Sequence, residues 1–198
     1  MKSIVREVLW TLLFAVLVFV LLRVSVQTFR VEMPSMKPTI EPGWWLVLDK
    51  VSYRFGQPRR GDIVVFHAPT EPGHDFIKRV IAIPGDTVEV KDGKVYLNGQ
   101  PVEEPYLANP PHYTMALWEI PPNEYFVLGD NRDTSVDSHY GWLVPRANLV
   151  GRAWLIVWPF SKWGLAPNHA LSAGQVSPGM VSDVASSGPT LVFDQGEP

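Results

Sequence analysis

A serine held between two prolines and a lysine set in an apolar run are where chemistry could be built in this chain. Ser35 lies in VEMPSMKPT, residues 31–39, bracketed by Pro34 and Pro38. A proline fixes its own φ and pushes the residue before it away from helix. The serine is therefore held in stiff, extended or turned chain. That setting suits a nucleophile aimed at a substrate, and it equally suits a plain turn beside an apolar segment. Lys78 lies in FIKRVIAI, residues 76–83. If this is a strand, side-chain alternation puts Lys78 on one face with Phe76, Val80 and Ala82, and Ile77, Arg79 and Ile81 on the other. Lysine is seldom fully buried, and burial disfavours its charged form. A free lysine titrates near 10.4, and lowering that by about two units takes roughly 2.7 kcal/mol. A lysine shifted in this way could serve as a base for a serine. A lysine snorkelling at a sheet edge would give the same local sequence.

Two further stretches carry polar side chains in a pattern. Residues 129–141, GDNRDTSVDSHYG, follow a strand-like run. Their mix of charges and hydroxyls suggests a hydrogen-bonded scaffold that positions other groups, although Asp, Asn, Ser and Gly also make ordinary surface loops. Residues 60–66, RGDIVVF, read as a turn entering a strand. Lys37 is closer to Ser35 in sequence than Lys78 is, but it reads as solvated. A Ser35–His139–Asp137 triad is conceivable, yet residues at i and i+2 in one loop do not easily orient one another. Ser35 has Pro38 where a Ser-x-x-Lys nucleophile would have its lysine. His67 and His74 have no carboxylate at metal-ligand spacing, and the chain has no cysteine. No metal and no cofactor is expected, and disulfides and thiol chemistry are excluded.

The elements that must position these groups follow from hydropathy. Residues 4–26 form a run whose uncharged core, 8–22, is short for a membrane span. A span needs roughly 20 residues, and the flanking Arg6, Glu7 and Arg23 can reach headgroups, which makes the length adequate. No Ala-x-Ala-like cleavage site follows, so an uncleaved anchor is expected rather than a signal peptide. Lys2 and Arg6 precede the core and place the N-terminus in the cytoplasm and the rest outside. Beyond residue 29 come short β-branched and aromatic runs at 44–48, 62–66, 76–83, 125–128 and 150–158, separated by turn formers. Residues 87–96 read as a hairpin turning at Asp92-Gly93, with another turn at Asn98-Gly99. Residues 103–122 are proline-rich and read as a long loop or small excursion. Trp44 and Trp45 would face opposite sides of one strand, leaving one free for an interfacial layer.

The expected architecture is mainly β: a barrel- or sandwich-like domain behind one N-terminal transmembrane helix. The expected divisions are an anchor at 1–28, a catalytic domain at 29–163 with a possible second β subdomain at about 88–125, and a flexible tail at 164–198. No Lys or Arg lies beyond Trp163, and the net charge of −3 argues against nucleic acid as a partner.

In order along the chain, four stretches resemble the boxes of the bacterial type I signal peptidases, also called leader peptidases. Ser35-Met36-Lys37-Pro38-Thr39 resembles their S-M-x-P-T nucleophile box. Residues 60–66 resemble R-G-D-[IV]-V-V-F, and residues 78–86, KRVIAIPGD, resemble K-R-V-x-[GA]-x-P-G-D. Residues 129–141 resemble G-D-N-R-x-x-S-x-D-S-R-x-x-G. The resemblance implies a serine–lysine protease of β fold, with Ser35 as nucleophile and Lys78 as general base. It implies that Ser135 hydrogen-bonds and orients the lysine amine, that Asp137 supports the loop, and that the Ser35 backbone N–H stabilises the oxyanion. It implies preprotein signal peptides as substrate, bound extended at a sheet edge and cut after Ala-x-Ala-like small residues, and a lipid bilayer as partner. The rival is a membrane-anchored, non-catalytic β domain that binds peptides. Two positions depart from the family pattern. Met33 stands where Gly or Ser is usual and cannot donate to an oxyanion. His139 stands where arginine is usual, so a pairing with Asp137 would be pH-sensitive.

Overall fold

A computed structural model of the protein describes residues 2–171. Helix α1 (Lys2–Ser25) is apolar on all sides, and none of its side chains among the described residues is buried against the rest of the chain. It runs directly into β1 (Val26–Arg30), which pairs antiparallel with β2 (Trp45–Asp49) from Val26 opposite Asp49 onward. The expected anchor at 1–28 is corrected here: Val26, Gln27 and Thr28 already belong to the sheet, where their backbone groups find partners in β2.

The remaining elements are strands and short turns. After α2 (Ser52–Phe55) come β3 (Ile63–His67) and β4 (Asp75–Ala82), then β5 (Thr87–Lys91), β6 (Lys94–Leu97) and β7 (Gln100–Pro101). They are followed by β8 (Met115–Glu119), β9 (Glu124–Leu128), β10 (Val144–Pro145), β11 (Leu149–Trp158) and β12 (Gly164–Leu165). The larger sheet runs β1-β2-β11-β3-β4-β9-β10, with β12 paired to β11, and the smaller runs β7-β6-β5-β8. The mainly β architecture behind one apolar helix is as the sequence predicts.

The turn chemistry explains the smaller sheet. Asp92 and Gly93 both take positive φ, 52° and 69°, and so do Asn98 and Gly99, at 54° and 76°. This is the geometry that reverses a twisted ribbon in two residues. Of the two readings of the proline-rich segment, a loop or a small excursion, the structure has the excursion: β8 lies within it and pairs with β5. The tail expectation is corrected as well. Gly164–Leu165 pairs with Leu155 and Ile156, and Leu171 is buried, so packed chain continues eight residues past 163. Residues 172–198 lie outside the described part.

Three buried clusters fill the domain. Ile63, Val65 and Ile77 pack with Leu46, Leu48 and Met36. Val64, Phe66, Phe76 and Val80 pack with Tyr125 and Val127, as the two-residue period of a doubly covered sheet requires. Ile81, Ala82 and Phe126 join Val88, Val90, Val95 and Leu97 in the third cluster, so the two sheets share one core.

Candidate active site

The nucleophile candidate sits in a single 3₁₀ turn, Pro34–Met36. Pro34 supplies the φ that opens such a turn and has no N–H to leave unpaired. The turn closes through Lys37 N–H donating to Pro34 O, and Ile40 N–H donates to Met36 O. Met36 and Ile40 are fully buried, and this apolar peg fixes the turn against the sheet. The expected stiff, turned chain at Ser35 is thereby given a specific form. Lys37 is exposed, away from the chemistry.

Lys78 lies at the centre of β4, paired across from Val64. Its amine stands 5.2 Å from the centre of the Phe76 ring, the same-face neighbour that alternation gives it. Ser35 and Lys78 are 3% and 2% exposed, and Lys78 Nζ donates to Ser35 Oγ at 2.8 Å. Burial lowers the lysine pKa to about 8, against a smaller raising effect from the charge of Asp137. The two residues border a cleft of about 510 Å³ that Met33, Phe76 and Ile77 also line. An exposed snorkelling lysine is not what the fold contains.

The polar loop that follows β9 wraps this pair. Asn131 N–H donates to Ser35 O at 2.9 Å, and Asn131 Nδ2 to Pro34 O at 3.3 Å. Asp137, fully buried, accepts from Gly129 N–H at 2.9 Å. Its other oxygen faces the His139 ring at 2.6 Å. Val127 N–H donates to Ser138 Oγ at 3.0 Å, tying the loop back to β9. Ser135 is 2% exposed, but its Oγ has no hydrogen-bond partner, so the expected bond to the lysine amine is not formed. His139 is bonded to Asp137, while the hydrogen bonds of Ser35 Oγ go to Lys78 and the Ile77 carbonyl; the triad arrangement is not assembled.

The sequence boxes are joined by buried charge. Arg79 meets Asp130 through two parallel bonds of 2.9 and 2.7 Å, with both side chains fully buried. Its remaining donor reaches Gly61 O at 3.0 Å and Pro167 O at 3.2 Å. Arg60 pairs with Asp86, and Asp86 also accepts from Ile83 N–H and the Asn98 amide. Each box thus positions another. Glu104 is a residue that sequence reading missed. It pairs with the buried Arg132 and anchors the proline-rich segment to the loop. A signal existed, since a buried arginine requires a carboxylate and Glu103-Glu104 is the acidic pair of that segment. Tyr113, stacked on His139 at 4.2 Å, and Asn168, which ties Ile63 N–H to the Ala153 carbonyl, gave no local signal. His67 pairs with Asp75, and among the described residues no group of three potential ligands could hold a metal.

The chain matches the family model described as signal peptidase, peptidase S26, over residues 4–158. It belongs to that family. The peptidase is accordingly a hydrolase of the serine type. It is 45% identical over 158 residues to a signal peptidase I of Leptolyngbya laminosa, covering 73% of this chain and 77% of that one. It is 44% identical over 168 residues to a probable signal peptidase I-1 of Synechocystis, covering 81% and 86%. With a signal peptidase I of Pseudomonas aeruginosa it shares 33% identity over 208 residues, covering 78% and 73%.

Proposed function

We propose that the chain is a membrane-bound serine endopeptidase that removes N-terminal signal peptides from exported preproteins after Ala-x-Ala-like small residues, with Ser35 and Lys78 as a catalytic dyad. The observation that carries this reading is the buried 2.8 Å contact between Lys78 Nζ and Ser35 Oγ. With its pKa lowered to about 8 by burial, the amine is neutral in a useful fraction near pH 8. Neutral Lys78 takes the hydroxyl proton as Ser35 Oγ bonds to the scissile carbonyl carbon. The carbonyl oxygen becomes an oxyanion, and the Ser35 N–H at the open start of the 3₁₀ turn is its donor. Collapse breaks the C–N bond, and Lys78 passes its proton to the leaving amine. Water then repeats the sequence on the acyl-enzyme. Asp137 supports the loop that contains Ser135 by accepting the Gly129 N–H.

The cleft between β4 and the stretch around Met33 accommodates an extended peptide, which would add a strand there. Helix α1 would span the bilayer with the N-terminus in the cytoplasm, as Lys2 and Arg6 favour. Residues 26–171 would form the extracytoplasmic catalytic domain, with the smaller sheet as its second β subdomain. Trp158, Phe160 and Trp163 lie against one another with 48%, 67% and 67% of their surfaces exposed. Such a cluster favours the layer between water and lipid.

The test is cleavage of an Ala-x-Ala peptide by detergent-solubilised protein from about pH 6 to about pH 10. Ser35→Ala and Lys78→Ala each remove activity by on the order of 10⁴-fold or more, with the fold retained. Unchanged turnover in Lys78→Ala would overturn the dyad.

A further inference from the structure

Asp137 is shared between two groups. One oxygen accepts the Gly129 N–H at 2.9 Å; the other lies 2.6 Å from His139 Nδ1 and accepts the His139 backbone N–H at 3.3 Å. The carboxylate is fully buried, and its charge is felt at Lys78, where it favours the ammonium form. The imidazole is packed against two aromatic rings. It is stacked on Tyr113 at 4.2 Å and against Tyr140 at 4.0 Å.

We propose that His139 is a positioning residue that tunes Lys78 through Asp137. A neutral side chain at position 139 leaves the charge of Asp137 acting on the amine uncompensated, whereas a cationic one pairs with that carboxylate. The proposal rests on Lys78 being the base. A carboxylate stabilises a nearby ammonium and raises its pKa, while a cation on that carboxylate cancels part of the effect. The sign is therefore fixed: a protonated His139 makes Lys78 easier to deprotonate.

The other titratable groups about the ring do not imitate this. Tyr140 lies on the same turn, and Tyr113 enters from the proline-rich segment, its phenol pushed up by burial and by the charge of Asp137. The other charges that reach Tyr113 are Arg132, Glu104 and Asp133. Arg132 is paired with Glu104, and Asp133 with His112 at 2.8 Å.

The experiment compares His139→Arg, permanently charged, with His139→Gln, permanently neutral, reading kcat/KM of the full chain against pH. The acid limb of His139→Arg is expected about half a pH unit or more below that of His139→Gln. A purely structural role predicts lower rates with superposable limbs, and that result would overturn the proposal. Should either variant lose activity, the Lys78 side chain is titrated by NMR in the Ser35→Ala background of both. Equal Lys78 midpoints there would overturn the proposal equally. Lys78→Ala runs in parallel: turnover surviving in it refutes the dyad itself, whereas coincident limbs with an inactive Lys78→Ala refute only the role of His139.

Discussion

Arg79 and Asp130 form a two-point ion pair with no exposed surface on either side chain. One comes from the centre of β4 and the other from the loop after β9, so the pair holds the strand that carries Lys78 against the loop that wraps Ser35. Removing one partner strands a buried charge. Asp130→Ala is expected to destabilise the protein by about 3–5 kcal/mol, read as a drop in the denaturation midpoint. Replacing both residues with apolar ones of similar volume should recover much of that loss.

Lys78 sets function against stability. Its folded pKa lies near 8, below the ordinary 10.5, because burial penalises the ammonium. Between those values the unfolded chain binds more protons than the folded one, so stability rises with pH across that window. Below about pH 8 the penalty is present in full. Lys78→Met should therefore be inactive yet melt higher at neutral pH, with the advantage shrinking toward pH 10. Melting curves at the two pH values check this.

Gly129 is packed where a side chain cannot go. A Cβ there would meet Ser135 Oγ and the Ser35 carbonyl. Gly129→Ala must push the Ser35 turn from its place. Its kcat should fall on the order of 10²-fold, the scale of an ångström-sized misplacement, while KM changes little. Steady-state kinetics separate the two.

Ser135 gives a split expectation. Its buried hydroxyl has no partner, and such a group costs about 1–3 kcal/mol. Ser135→Ala should leave stability unchanged or raised. If the hydroxyl orients the amine only during turnover, kcat falls while the melting midpoint does not. Parallel kinetics and thermal melts decide.

Much of this was legible in the sequence because local rules agreed with the fold. The β-branched runs became β3, β4, β9 and β11, and Asp92-Gly93 and Asn98-Gly99 turned where positive φ is tolerated. Ser35 and Lys78, 43 residues apart, could be singled out together because each lies in its own distinct motif, and the fold brings them into contact. What could not be read depends on long-range partners. Strand β8 is hidden among prolines, since its pairing is dictated by β5 rather than by its own composition. The Glu104–Arg132 pair and the Tyr113 stack join segments that share no periodicity. The chain past 163 looked too polar to pack, yet Asn168 spends its amide on buried backbone instead of water.

Helix α1 and β1 are continuous, with Ser25 followed at once by the paired Val26. Ser35 follows Ser25 by ten positions, a contour of at most about 36 Å. With the helix embedded in a bilayer as proposed, the join would act as a ruler. A scissile bond would be reached only within a fixed height above the lipid, and folded domains farther out would be spared by distance, whatever their sequence.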